Sequence, residues 1–87
     1  MIEVNMLNRE EIRKNLNLIF QDVFDDTTIE ITDEMSAKDI EDWDSLAQID
    51  LIVASEGTFN VKFGISEIAQ LKNIGDMLDL IERKLCQ

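Results

Sequence analysis

Histidine and proline are absent from this sequence, glycine occurs three times, and cysteine once, as Cys86. Each shortage excludes something. One thiol and no imidazole cannot assemble a zinc site, and a Ser/His or Cys/His nucleophile pair is ruled out in the same way. No disulfide can form within the chain, which suits a reducing compartment. The lack of turn formers argues against a β-sandwich. Basic residues are also scarce, 8 against 19 acids, for a formal net charge of -11. Such a surface repels nucleic acid and anionic membrane and favours basic partners. It strains the fold by self-repulsion, which salt or divalent cations relieve. No charge-free apolar run approaches membrane-spanning length. The start, MIEVNMLNRE, has no long apolar run after a basic segment and does not read as a secretory signal. The expectation is a soluble cytoplasmic protein, monomeric, with no nucleic-acid or membrane partner, that is not an enzyme on its own.

Hydrophobic residues are plentiful, at 45% of 87 residues. That is enough for one domain with a real core, structured over about residues 8–85. Ile12, Leu16, Ile19, Phe20, Val23 and Phe24 recur at helical spacing and predict a first helix over about residues 9–24. Asn8 and Glu11 have the spacing of a capping box, with Leu7 and Ile12 placed to staple across it. Residues 25–44 show no sustained period. Ile29, Ile31, Met35, Ile40 and Trp43 are scattered through them as anchors, and Ser36 with Asp39 suits the cap of one short helical turn near Lys38 to Asp42. So long a connection inside a small domain is commonly functional or pinned. The run DDTTIEITDE lacks the glycine and carboxylate spacing of a calcium-binding loop.

A second helix is predicted to start at Asp44 or Ser45, with Asp44 as N-cap and Gly57 marking its C-terminal end, after which Phe59 falls onto the core. At about 100° per residue, Leu46, Ile49, Asp50 and Val53 share one face, while Gln48, Leu51, Ile52 and Ser55 share the opposite one. Both faces are apolar, so periodicity alone does not say which is buried. Ser66 to Leu71 suits a short helix. Asn73 then caps a last one, with Asp76 three residues on and a stripe of Ile74, Met77, Leu78, Ile81 and Leu85. Arg83 and Lys84 stand where the helix dipole favours cations. The predicted fold is an all-α four-helix bundle, three helices long and one short, with a long loop between the first two.

Ser45 falls in the first turn of the doubly apolar helix, where free N–H groups and the dipole favour an anion. No base stands beside it in sequence, so its hydroxyl suits an acceptor of modification better than a nucleophile. Asp-Ser alone would also serve as an ordinary capping pair. The stretch WDSLAQIDLIVASEGTFNVKF, together with the helices around it, resembles the phosphopantetheine carriers, that is, acyl and peptidyl carrier proteins. The likeness covers about Asn8 to Leu85.

The resemblance implies an acyl carrier protein-like bundle in which Ser45 carries 4'-phosphopantetheine, a phosphodiester-linked arm whose thiol holds cargo as a thioester. It implies that Asp44 helps a phosphopantetheinyl transferase recognise the site. The second helix becomes the partner-recognition helix, matching Leu46, Ile49, Asp50, Val53 and Glu56, with Leu51, Ile52 and Phe59 in the core. Further partners would be acyl- or aminoacyl-loading and acyl-using enzymes with basic docking patches, in fatty acid, polyketide or aminoacyl chemistry. Trp43 suits both an anchor for the loop end and a contact with the partner beside Ser45. Carriers of primary fatty acid synthesis commonly have acids at the positions matching Ala47 and Gly57, and a small residue in place of Trp43. These departures point to a specialised pathway. The alternatives are the general fatty acid synthesis carrier and an unmodified acidic helical adaptor or inhibitor, which would use the same helix face without needing Ser45.

Overall fold

The computed structural model describes residues 8–85. Among them the chain forms α1 (Arg9–Val23), α2 (Ser45–Phe59), α3 (Ile65–Ala69) and α4 (Ile74–Leu85), and no strand. The expected all-α bundle of three long helices and one short one is what forms. Leu7 and Cys86 lie outside the described residues.

Each long helix starts where a side chain replaces a missing backbone acceptor. Asn8 Oδ1 accepts from Glu11 N at 2.9 Å, Asp44 Oδ1 from Ala47 N at 2.9 Å, and Asn73 Oδ1 from Asp76 N at 2.8 Å. Helix N-termini leave their first N–H groups without intrahelical partners, so such caps set where α1, α2 and α4 begin. α1 packs against both α2 and α4. The centre is closed to solvent: Ile12, Leu16 and Phe20 of α1, Leu51 and Phe59 of α2, and Ile74, Leu78 and Ile81 of α4 are all essentially inaccessible. α4 also buries Leu80, beside the expected stripe. Ile31 from the long loop and Phe63 from the α2–α3 connection complete this core.

Three local expectations are corrected. α2 does not stop at Gly57 but runs on to Phe59, and Asn60 ends it in the left-handed conformation (φ 55°, ψ 49°). The buried positions Leu51, Ser55 and Phe59 follow one another by single helical turns, so Phe59 reaches the core as part of the helix. Asparagine tolerates positive φ better than most residues, and here it replaces glycine as the stop. The short helix begins one residue earlier than expected and ends at Ala69; Gly64 N donates to Glu67 Oε1 at 2.7 Å across its first turn. Lys38 to Asp42 form isolated turns and no helix, although Ser36 N does donate to Asp39 Oδ2 at 2.9 Å.

Candidate functional site

The long loop is fastened at both ends of its path. In its first half, Ile31 N donates to Asn17 Oδ1 at 2.8 Å and Gln21 Nε2 donates to the Ile29 carbonyl at 3.0 Å. Asp33 is the main tether. Its two carboxylate oxygens accept from Arg9 at 3.0 Å and from Arg13 at 2.7 Å, and Arg9 reaches on to Asp79 and Glu82 of α4. The paired guanidinium of Arg13, then that of Arg9, holds the Asp33 carboxyl below the usual carboxylate range. Arg9 is correspondingly raised well above its ordinary value, first by Asp33 and then by Asp79. The loop backbone serves as a second tether. Gly75 N donates to the Asp33 carbonyl at 2.9 Å and Ile74 N to that of Met35 at 2.8 Å, so the loop supplies acceptors for the first N–H groups of α4. A β-carbon on Gly75 would stand 3.0 Å from the Asp33 carbonyl oxygen, so a side chain there would push the loop backbone away by a few tenths of an ångström.

At its other end the loop is held by Trp43. The indole ring meets Phe20 edge-on, with centroids 5.2 Å apart at 81°, and Phe24 at 6.4 Å. Its N–H donates to Gln48 Oε1 at 2.7 Å, which satisfies the one polar atom of a half-buried aromatic. Trp43 is thus an anchor that fixes the entry to α2. The partner residue Gln48 was predictable only as part of the core-side face, because its role depends on the loop folding back over α1.

Ser45 is the first residue of α2 and is exposed. The cap is made by Asp44, whose side chain accepts from Ala47 N and whose carbonyl accepts from Gln48 N at 2.9 Å. The Ser45 hydroxyl is therefore not needed to start the helix. It stands at the positive end of a 15-residue helix, where an attached anion is favoured. Beyond it the two faces separate clearly. Leu51, Ile52, Ser55 and Phe59 are buried, whereas Leu46 is 72%, Ile49 58% and Val53 61% exposed. Asp50 is exposed between them. Glu56 departs from this set: it is half-buried, and its Oε2 accepts from Phe63 N at 2.8 Å, which holds the chain leaving α2. Ala47 is only 9% exposed, so the neutral residue there is a packing choice and not a missing surface charge. Gly57 is exposed, with nothing near the position of a β-carbon.

This arrangement of helices has a close counterpart among solved structures. It superposes with a TM-score of 0.81 on the holo acyl carrier protein from Geobacter metallireducens, at 46% sequence identity over 85% of each chain. A curated acyl carrier protein of Acidothermus cellulolyticus is 36% identical over 75 residues, 86% of this chain and 89% of its own. The chain belongs to the acyl carrier protein family. The acyl carrier protein of Thermotoga maritima is 30% identical over 92% of this chain and 99% of its own. A meromycolate extension acyl carrier protein of Mycobacterium leprae is 31% identical over 88% of this chain and 67% of its own. No family model matches the chain.

Acyl carrier proteins are carriers and not enzymes, and they work with acyl-handling enzymes and a phosphopantetheinyl transferase. The carrier needs a reachable attachment point on a rigid support and a surface on which enzymes dock. Among the described residues no helix is long and apolar enough to cross a membrane.

Proposed function

We propose that residues 1–87 act as a single carrier domain holding an acyl or aminoacyl cargo on 4'-phosphopantetheine at Ser45. The observation that carries this reading is an exposed hydroxyl at the start of α2, left free of capping duty by Asp44. The residues fit the group: the hydroxyl is reachable, and its linking phosphate would lie in the favourable field of the helix N-terminus. When attached, the arm supplies a terminal thiol that holds the cargo as a thioester. Under the action of the transferase the Ser45 oxygen would bond to the phosphopantetheinyl phosphorus of coenzyme A as its pyrophosphate bond breaks, releasing adenosine 3',5'-bisphosphate and the hydroxyl proton; Asp44 caps the helix and would mark the site for that enzyme. Leu46, Ile49, Asp50 and Val53 form the docking face, with Trp43 fixing the loop beside it. Glu56 borders that face while holding Phe63. Exposed apolar side chains among acids suit weak, fast, electrostatically steered visits to several enzymes with basic patches. The setting is cytoplasmic and the working unit a monomer.

The direct test is to incubate the apo protein with coenzyme A and a broad-specificity transferase and weigh it. Wild type gains one phosphopantetheine and Ser45→Ala gains none, while both keep the same helical spectrum. Equal labelling of the two proteins, or none of wild type by several transferases, replaces the carrier with an unmodified adaptor.

The pathway we infer is a specialised one, not general fatty acid synthesis. Trp43 fills the approach to α2 with a packed indole, and Gly57 leaves an exposed α2 position uncharged. The relative from M. leprae, named for meromycolate extension, is consistent with this. The malonyl form of the chain should be a poorer substrate for a host ketoacyl synthase than that of the host's general carrier, and Gly57→Glu should recover part of the difference. Ala47→Asp is unsuitable here because that side chain is buried. Equal turnover by the unchanged chain would favour general fatty acid synthesis.

A further inference from the structure

The two ends of α2 differ in charge. Around Ser45, the side chains of Asp39, Glu41, Asp42, Asp44 and Asp50 are all exposed, and no base stands between residues 39 and 50. Gly57 lies about 18 Å farther along the helix axis, at 1.5 Å per residue. From Gly57 to Ser66 there is no acid, in a chain whose net charge is -11. Lys62 is the one charged side chain in that stretch, and it is exposed.

The far end is also apolar and concave. An open groove of about 340 Å³ is lined by Val53, Glu56, Gly57, Asn60, Val61 and Lys62. Nothing lies within 4 Å of where a β-carbon on Gly57 would stand, so the groove wall is low at that point. Glu56 and Lys62 carry opposite charges and leave the groove without a net charge, and Glu56 Oε2 is already engaged by Phe63 N at 2.8 Å. The same bond fastens the chain entering α3 to the end of α2. Ile65, two residues beyond Phe63, is 89% exposed, the most open large apolar side chain among the described residues. Exposed apolar side chains gathered in this way mark a contact surface. A basic side chain is attracted at the Ser45 end and meets Lys62 at the far end, so the partner's bases belong over one end only. Resting on the carrier reading above, we propose that this chain is served by an enzyme with a two-part docking surface. Its basic side chains lie over Asp44 and Asp50, and uncharged apolar side chains, with no base among them, seat against Val53, Val61 and Ile65. The unlike ends fix the direction in which the carrier docks.

The test places the photo-crosslinking residue p-benzoylphenylalanine at position 50 in one copy of the chain and at position 65 in another, each expressed in the native host. After irradiation the joined peptides are identified by mass spectrometry. One enzyme should be captured from both positions, joined near Lys or Arg from position 50 and within an apolar, base-free stretch from position 65. That enzyme is then purified and assayed with the full chain. Ile65→Asp and Gly57→Glu should each lower its kcat/KM about five-fold or more. Both losses should persist at high salt, whereas the loss caused by Asp50→Asn should fade. Ile65→Leu should work nearly as well as wild type, and all four variants should keep the helical spectrum. An enzyme captured from position 50 and never from position 65 would overturn the inference. So would adducts from position 65 that fall beside Lys or Arg, or a rate raised by Gly57→Glu, because each places a basic surface over the far end. Intact mass of the same preparations reports the arm on Ser45 separately, so a failure of the carrier reading is seen apart from a failure of this one.

Discussion

α4 and α2 are both built from apolar residues at helical spacing, yet they distribute them differently. α4 buries Ile74, Met77, Leu78, Leu80, Ile81 and Leu85 and turns Asp79 and Arg83 to solvent. Folding alone accounts for that pattern. α2 buries Leu51, Ile52 and Phe59 but leaves Leu46, Ile49 and Val53 more than half exposed. Burying a side chain of this kind is worth about 1.5–3 kcal/mol. α2 forgoes that gain at three positions, and it also buries the Ser55 hydroxyl with no hydrogen-bond partner among the described residues. The excess on α4 is charge, and the excess on α2 is apolar surface. α4 uses its apolar residues for the core alone, whereas α2 serves the core and also keeps an apolar face free, as the proposed docking reading requires.

Substitutions across α2 should break this comparison most sharply. Leu51→Ala should cost about 2–5 kcal/mol in chemical denaturation, because the site is fully buried. Ile49→Ala and Val53→Ala should each change stability by less than about 0.5 kcal/mol while lowering the transferase kcat/KM several-fold. A large stability loss at Ile49 would show that the outer face is part of the fold after all.

Charge sharpens the comparison next. The transferase kcat/KM should fall as salt rises, and Asp50→Asn should flatten that dependence without altering the helical spectrum. Salt should meanwhile stabilise the fold by screening the net charge of -11.

A smaller effect belongs to the loop tether. The folded pKa of Asp33 is depressed by Arg13 and Arg9. Its contribution is therefore present above the unfolded carboxylate value and is lost as pH falls through the lower folded one. Because the side chain is 37% exposed, solvent screening limits the contribution to about 1 kcal/mol or less. Asp33→Asn should lower the melting temperature at neutral pH, and the gap to wild type should close in acid. Smallest of all is Ser55→Ala, which removes an unsatisfied buried hydroxyl and should be neutral or stabilising by up to about 1 kcal/mol.

Much of the bundle was legible because its signals are local. Asn8, Asp44 and Asn73 announce three helix starts through contacts three residues away, and the stripes of α1 and α4 repeat within single helices. The split of α2 into a buried and an exposed face was not legible from spacing, since both faces are apolar; it emerges only when α1 covers one of them. The end of α2 was misplaced because glycine is the common stop, whereas the burial of Phe59 carried the helix on to Asn60. The charged network of Arg9, Arg13, Asp33, Asp79 and Glu82 joins residues up to 73 positions apart. No periodicity records such a contact. The same holds for Glu56, whose carboxylate looks like surface charge in the sequence but holds Phe63 in the fold.

The central claim is that Ser45 bears the covalent arm. Purifying the protein from its native host, weighing it intact and mapping its peptides tests this most directly. The account predicts one phosphopantetheine, with or without cargo, on the peptide containing Ser45 and on no other. A chain isolated without any modification from growing cells, or one modified at a different residue, would contradict it.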